Sequence, residues 1–202
     1  MAGVGIGVGA GAAAPGGSNP GVVDAAAAGV GSAVPISAEA GRAYDPGAVE
    51  GAIYQRWLRS GAFAAPPAPD PGRPRFSVVM PPPNVTGQLH MGHALDNTLQ
   101  DVFVRWQRMR GAATLWVPGT DHAGIATHAV VERRLAAEGE SRRAMGREAF
   151  VARIWEWKDE YEGRIVAQLR RLGCSCDWGR QRFTLDAGLS AAVDEVFIRY
   201  YR

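Results

Sequence analysis

Lysine is almost absent from this chain: of 22 cationic residues in 202, Lys158 is the only lysine and the rest are arginines. No Gly-x-x-x-x-Gly-Lys run occurs, which excludes an ordinary P-loop as a phosphate cradle. Cysteine is as scarce. Cys174 and Cys176 are the only two, too few for a disulfide framework, so a reducing compartment is expected. A Cys-x-Cys pair can ligate metal, but nothing beside it completes a four-ligand set. No apolar run approaches the roughly 18–20 residues that span a bilayer, so no membrane partner is expected. A strong charge of one sign is also missing, since the formal net charge is +2. The basic excess falls after residue 100, with 17 basic against 14 acidic residues there and 5 against 6 before it. Such a mild bias is compatible with an anionic ligand and proves nothing by itself.

Residues 1–40 lack most of what a fold requires. They contain 12 Ala and 10 Gly, and Asp24 and Glu39 are their only charges. Burial has little to offset the entropy of ordering such a stretch, so a disordered tail is expected over 1–41. Gly5 to Gly11 partly mimics a dinucleotide fingerprint, but it follows no strand and opens no helix. An Arg-rich transit peptide or an early basic signal region is missing, because the first arginine is Arg42.

Patterned sequence begins at Tyr44. Over 42–74 the spacing predicts a helix and a Pro-rich connector. Asp45 is the expected N-cap, Pro46 the first helical residue, and Val49, Ile53, Trp57 and Leu58 the apolar face. Phe76 to Met80 reads as a short buried strand that Pro81, Pro82 and Pro83 must end. Beyond His93, residues Leu95, Leu99, Val102, Phe103, Trp106 and Met109 form an apolar stripe expected to pack on the core. Gln100, Asp101, Arg105 and Arg108 are expected to face elsewhere. Gly111 ends that helix, and Ala112 to Val117 reads as a second strand. Strand, helix, strand at this spacing is a βαβ unit with parallel strands, so the fold class is α/β. Further helices are expected over 125–137, 147–172 and 189–202, with a turn-rich loop over 173–182.

Ligands of parallel sheets bind outside the carboxyl ends of the strands. The loops 81–93 and 118–124 lie there and should converge on one pocket. His90 and His93 are neighbours on one helix face, beside unpaired N–H groups and the positive end of the helix dipole. Imidazoles so placed can donate to phosphate oxygens, more strongly as charge develops. Capping or surface histidines are the alternative, but the Pro81-Pro-Pro-Asn84 and Gly87-Gln-Leu-His-Met-Gly-His93 context favours phosphate. Gly92 lets a ligand approach the backbone. In Gly119-Thr-Asp-His-Ala-Gly124, Asp121 suits an ammonium group or caps the next helix, and His122 faces the pocket or stabilises the turn. Asn84 offers both a donor and an acceptor. A zinc site from His90, His93, His122 and His128 is the competing reading, although the spacings match no familiar metal pattern.

These motifs carry a resemblance. Residues 75–202 resemble the amino-terminal catalytic segment of the valine–tRNA ligases, a subgroup of the class I aminoacyl-tRNA synthetases. The class signature stands as His90-Met-Gly-His93. The valyl subgroup is marked by Pro81-Pro-Pro-Asn-Val-Thr-Gly87, Thr98-Leu-Gln-Asp101, Leu115 to Thr127, Trp155-Glu-Trp-Lys158 and Leu172 to Trp178. The resemblance implies the first half of a Rossmann-like (HUP-type) parallel sheet, incomplete at its C-terminus. It also implies ATP as substrate, with Mg2+, and valine and tRNA(Val) as partners. His90 and His93 would stabilise the ATP phosphates and Gly92 would make room for adenine. Asn84, Asp121 and His122 would lie at the amino acid, with Pro82 or Pro83 walling its side chain. Position 128 is His where the family usually has Gln. The second ATP signature, Lys-Met-Ser-Lys-Ser, is absent, so the chain is expected to be inactive or nearly so by itself. A cytoplasmic or organellar setting follows from the role. A nucleotidyltransferase of the same architecture that works without tRNA is the alternative enzyme, and a synthetase-derived scaffold is the non-enzymatic one.

Overall fold

Three consecutive prolines separate a strand from a helix, and the geometry of the site follows from that junction. The computed structural model describes residues 44–67 and 70–202, so the tail expected over 1–41 lies outside them. Strand β1 (Arg75–Val79) pairs in parallel with β2 (Ala113–Val117), in a register running from Arg75 opposite Ala113 to Val79 opposite Val117. Helix α2 (Met91–Met109) joins them, which makes the expected βαβ unit. β1 is less buried than expected. Phe76 and Val78 pack against the core while Arg75, Ser77 and Val79 face outward, the alternation of a half-covered strand.

A second parallel pair lies in stretches where no strand was expected. β3 (Gly119–Thr120) pairs with β4 (Arg182–Phe183), extended by hydrogen bonds from Arg182 N to Pro118 O at 3.0 Å and from Thr184 N to Thr120 O at 3.2 Å. Two-residue strands have no periodicity to detect. Gly119 is required at this crossing, because a Cβ there would lie 3.1 Å from the Arg182 carbonyl oxygen.

The main core collects Met80, Val85, Val104, Trp116, Ile165, Leu169, Cys174 and Cys176. A satellite core of Val131, Leu135 and Phe150 joins α3 (Gly124–Ala137) to α5 (Arg147–Leu172). The short α4 (Arg142–Met145) precedes α5, and α6 (Ala187–Tyr201) follows β4. Along α5 the expected inward residues are covered, except Leu172 at its end, which is exposed. Helix α1 (Pro46–Arg59) starts as its sequence requires, with the Asp45 carboxylate accepting from Gly47 N at 3.0 Å. Its anchor is Tyr54 rather than Ile53: Tyr54 is buried, and its hydroxyl donates to Cys174 O at 2.7 Å and accepts from Trp178 Nε1 at 2.9 Å. Residues Asp45–Arg202 form a compact unit. Among the described residues no helix is long and apolar enough to cross a membrane.

Helix α2 is turned the other way from its apolar pattern. Leu95, Leu99, Val102, Phe103, Trp106 and Met109 are all exposed, Met109 at 80%. The inward stripe is Asn97, Asp101, Val104 and Arg108. Hydrogen bonding decides the orientation. Asp101 Oδ1 accepts from Ser175 N at 3.0 Å, and Arg108 donates to Ser175 Oγ at 2.6 Å and Ser175 O at 2.7 Å. Arg105 donates to Gly173 O at 2.7 Å, and Trp116 Nε1 donates to Gln100 Oε1 at 3.0 Å. Ser175 is fully buried, so its polar groups need these partners or would cost heavily. The polar face of α2 therefore clamps the 173–177 loop.

Candidate active site

The prolines bring the chain out of the sheet, and the turn that follows ends in a helix cap built from two imidazoles. His90 is the N-cap of α2, in extended conformation, and its Nδ1 accepts from Gly92 N at 3.1 Å. His93, at the third helical position, turns its own Nδ1 back to accept from His90 N at 3.3 Å. This is a reciprocal capping box written with histidines instead of Ser and Glu. The capping role weighed from sequence is thus met, and it uses only one nitrogen of each ring.

The tautomers follow. A neutral imidazole carries one N–H, and an Nδ1 that accepts must leave the hydrogen on Nε2. His90 and His93 therefore each present an Nε2–H that has no acceptor among the described residues, with ring centroids 4.0 Å apart. Partial burial lowers the pKa of His93 below its ordinary value, the neighbouring His90 lowers it further, and Asp96 partly opposes this. His93 is suited to donate as a neutral ring. Both histidines line a cavity of about 390 Å³ together with Pro81, Pro82, Pro83, Asn84 and Asp96. Gly92 is dictated by His90: a Cβ there would meet the His90 ring at 2.9 Å. The His90 ring that caps the helix is thus one reason for this glycine, beside the adenine that the resemblance implies.

The second loop is stitched to the first. Asp121 N donates to Pro83 O at 2.8 Å and Val85 N donates to Asp121 O at 3.0 Å, so Asn84 and Asp121 face each other in a parallel bridge. The two loops meet in the backbone itself, although no residue of 118–124 lines the cavity of the histidine pair. Asp121 does not cap α3. The N-cap position belongs to Ala123, which has φ +48°, the only non-glycine with positive φ among the described residues. That conformation costs an alanine about 1–2 kcal/mol. It is held by Thr127, whose hydroxyl donates to His122 O at 2.6 Å.

His122 goes elsewhere. Its ring lines a separate, mainly apolar cavity of about 150 Å³ with Val85, His128, Trp155, Lys158 and Phe183. The four histidines do not gather: among the described residues no group of three or more His, Cys, Asp or Glu is placed to hold a metal ion. Cys174 and Cys176 are free thiols inside the core.

Several supports escaped sequence reasoning. Gln168 accepts from Leu89 N at 2.9 Å, Trp157 Nε1 donates to Val85 O at 2.8 Å, and Thr120 Oγ1 donates to Glu162 Oε1 at 2.9 Å. All three partners stand on α5, so one helix braces both loops. Their only sequence signal was position on the face of a helix already assigned inward.

Comparison with known proteins agrees with this architecture. The family model for class I tRNA synthetases (I, L, M and V) matches residues 52–202. A valine–tRNA ligase of Geobacter sulfurreducens is 61% identical over 163 residues, covering 81% of this chain and 18% of the relative. One from Caulobacter vibrioides is 63% identical over 162 residues, covering 80% and 18%. Among solved structures, LeuRS of Agrobacterium radiobacter K84, crystallised in a ternary complex with tRNA and LeuAMS, superposes with a TM-score of 0.65. It is 21% identical, covers 79% of this chain and 18% of its own, and so attests the fold. The chain spans about 18% of the length of the relatives it matches. With a family match over residues 52–202, a parallel βαβ unit and a histidine-capped helix at its carboxyl edge, the chain belongs to the class I tRNA synthetases.

Proposed function

We propose that this chain is the first part of the synthetic site of a valine–tRNA ligase. The observation that carries the reading is the histidine cap: two Nε2–H donors on a helix N-terminus, facing a cavity that Asn84 and the three prolines share. The relatives named above supply the choice of amino acid, and a role in charging tRNA(Val) sets the chain where translation occurs, in the cytoplasm or an organelle.

In the first step a carboxylate oxygen of valine forms a bond to the α-phosphorus of ATP, and the bond to the bridging oxygen of pyrophosphate breaks. Negative charge then grows on the departing phosphates. His90 and His93 meet it with neutral N–H donors aligned with the helix dipole, so their hydrogen bonds strengthen as the charge develops. Asp121 receives the ammonium group of valine, Asn84 orients its polar end, and Pro82 or Pro83 walls the branched side chain. Gly92 keeps the His90 ring seated. The terminal ribose hydroxyl of tRNA takes the acyl group in the second step. Mg2+ would accompany the triphosphate. The cavity lining supplies a single carboxylate, Asp96, which fits an ion carried mainly by phosphates rather than a protein cage.

The test is valine-dependent ATP–pyrophosphate exchange in a ligase of the relatives' length that carries this segment. His93→Ala should reduce exchange by about 100-fold or more, in line with loss of an electrostatic donor, with an unchanged circular dichroism spectrum. Undiminished exchange in that variant would remove His93 from the chemistry. The 202-residue chain alone should show negligible exchange.

A further inference from the structure

We propose that Thr184 is a positioning residue that sets both the Asp121 carboxylate and the tautomer of His122, and so acts on recognition of the amino acid's ammonium group. The proposal rests on the reading of Asp121 as the ammonium acceptor. Thr184 lies 63 residues beyond Asp121, just after β4, in a stretch that offered no motif. Its hydroxyl oxygen has three partners. It accepts from His122 N at 2.9 Å, lies 2.6 Å from His122 Nδ1, and donates to Asp121 Oδ1 at 2.9 Å.

A hydroxyl has one hydrogen and two lone pairs, so these three bonds exhaust it. The backbone N–H of His122 can only donate. An ionised Asp121 can only accept, and therefore takes the Thr184 hydrogen. The remaining lone pair of Oγ1 then requires a hydrogen on His122 Nδ1. His122 is thus fixed as the Nδ1–H tautomer, the opposite of His90 and His93, and its Nε2 is left as an acceptor toward the apolar cavity lined by Val85, Trp155 and Phe183. His122 Nδ1 also stands 3.3 Å from Asp121 Oδ1. Both contacts to the carboxylate fall on Oδ1, which leaves Oδ2 without a hydrogen-bond partner among the described residues.

The backbone makes the junction rigid. Thr184 N donates to Thr120 O at 3.2 Å, continuing the β3–β4 ladder, and Asp121 is bridged to Asn84 on its other side. Thr184 therefore closes a chain of contacts from β4 through Asp121 to the cavity of the histidine pair. Removing the hydroxyl should free the Asp121 rotamer without disturbing His90 or His93, so recognition of the amino acid should weaken while recognition of ATP stays constant.

Two measurements test this. In the 202-residue chain, long-range proton–nitrogen spectra should show His122 as the Nδ1–H tautomer; Thr184→Val should shift it toward Nε2–H, and Thr184→Ser should leave it as it is. An Nε2–H tautomer in the wild-type chain overturns the proposal outright, whatever the variants do. In the full-length ligase, Thr184→Val should raise the KM for the amino acid about tenfold, the scale of one hydrogen bond to a charged group, with the KM for ATP and kcat unchanged. Thr184→Ser should restore it, which a role in packing alone would not require. Asp121→Asn separates the two failures. If it raises the amino-acid KM and Thr184→Val does not, the positioning role is wrong; if neither does, the assignment of Asp121 itself is wrong.

Discussion

Gly92 and His90 occupy a single space: a Cβ on residue 92 would lie 2.9 Å from His90 Cε1 and 3.1 Å from His90 Nδ1. The ring that caps α2 therefore excludes any side chain two residues on. Gly92→Ala should push the His90 imidazole out of its cap, at a cost of about 1 kcal/mol and a Tm lowered by about 2–4 °C. His90 should also lose its preference for the Nε2–H tautomer, visible by nitrogen NMR, and exchange activity in the full-length ligase should fall more than tenfold. A variant with unchanged Tm and tautomer would show that the cap is not formed in solution.

The clamp between α2 and the 173–177 loop gives a stability prediction. Asp101 accepts from Ser175 N at 3.0 Å and from Arg105 Nε at 2.7 Å, and its side chain is 15% exposed. Asp101→Ala leaves the buried Ser175 N–H without an acceptor and the Ser175 hydroxyl, which still accepts from Arg108, without one for its hydrogen, and should cost about 2–3 kcal/mol. Asp101→Asn, which keeps one acceptor, should cost less. Denaturant midpoints at constant m separate the two variants. Equal, small losses would mean that water replaces the carboxylate.

How far the sequence carried this structure depends on the kind of signal. The βαβ unit, the caps at Asp45 and the histidine pair, and the meeting of loops 81–93 and 118–124 were legible, because prolines, glycines and strand ends restrict the backbone locally. The orientation of α2 was not. Hydrophobic periodicity assigns a helix face by what water rejects, yet Asp101 and Arg108 face inward because Ser175 needs donors and acceptors. Those partners lie about 70 residues away, where no local pattern could announce them. Thr184 was missed for the same reason, and β3 and β4 because two residues carry no period. Asp121 stands opposite Asn84 in a backbone bridge, but its capping of α3 failed because Ala123 occupies that position in a left-handed conformation.

The histidine pair should also register in the acid limb of stability. Burial and the adjacent His90 hold the pKa of His93 below 6.5, so the unfolded chain binds its proton first as pH falls. Stability rises with pH wherever the unfolded state holds more protons. The contribution of His93 is therefore full above about pH 6.5 and declines as pH falls below it toward the folded pKa. His93→Gln, which does not titrate, should lose less stability than wild type between pH 7.5 and 5.5, read as the shift in urea midpoint. An identical shift in both would mean that His93 is not desolvated by its cap.

At the other end of the scale, buried acids that stay neutral should limit alkaline stability. Burial raises the Cys174 thiol from 9.0 to about 12, raises Cys176 further, and raises the Tyr54 hydroxyl from 10.0 to about 12. In each case the folded chain keeps a proton that the unfolded chain gives up. The sign is therefore opposite to that of His93: the stability is whole below about pH 9 and is lost as pH climbs through the range between unfolded and folded values. Wild type should lose stability steeply above pH 9, and a Cys174→Ala, Cys176→Ala double variant should show a shallower loss there, even if it starts from a lower value. Below that range both thiols should resist iodoacetamide until the chain opens, because the thiolate is the nucleophile and the core that holds Met80 and Trp116 suppresses it. Rapid alkylation of the native chain at pH 8 would place the cysteines at the surface and contradict the clamp that Asp101, Arg105 and Arg108 make on their loop.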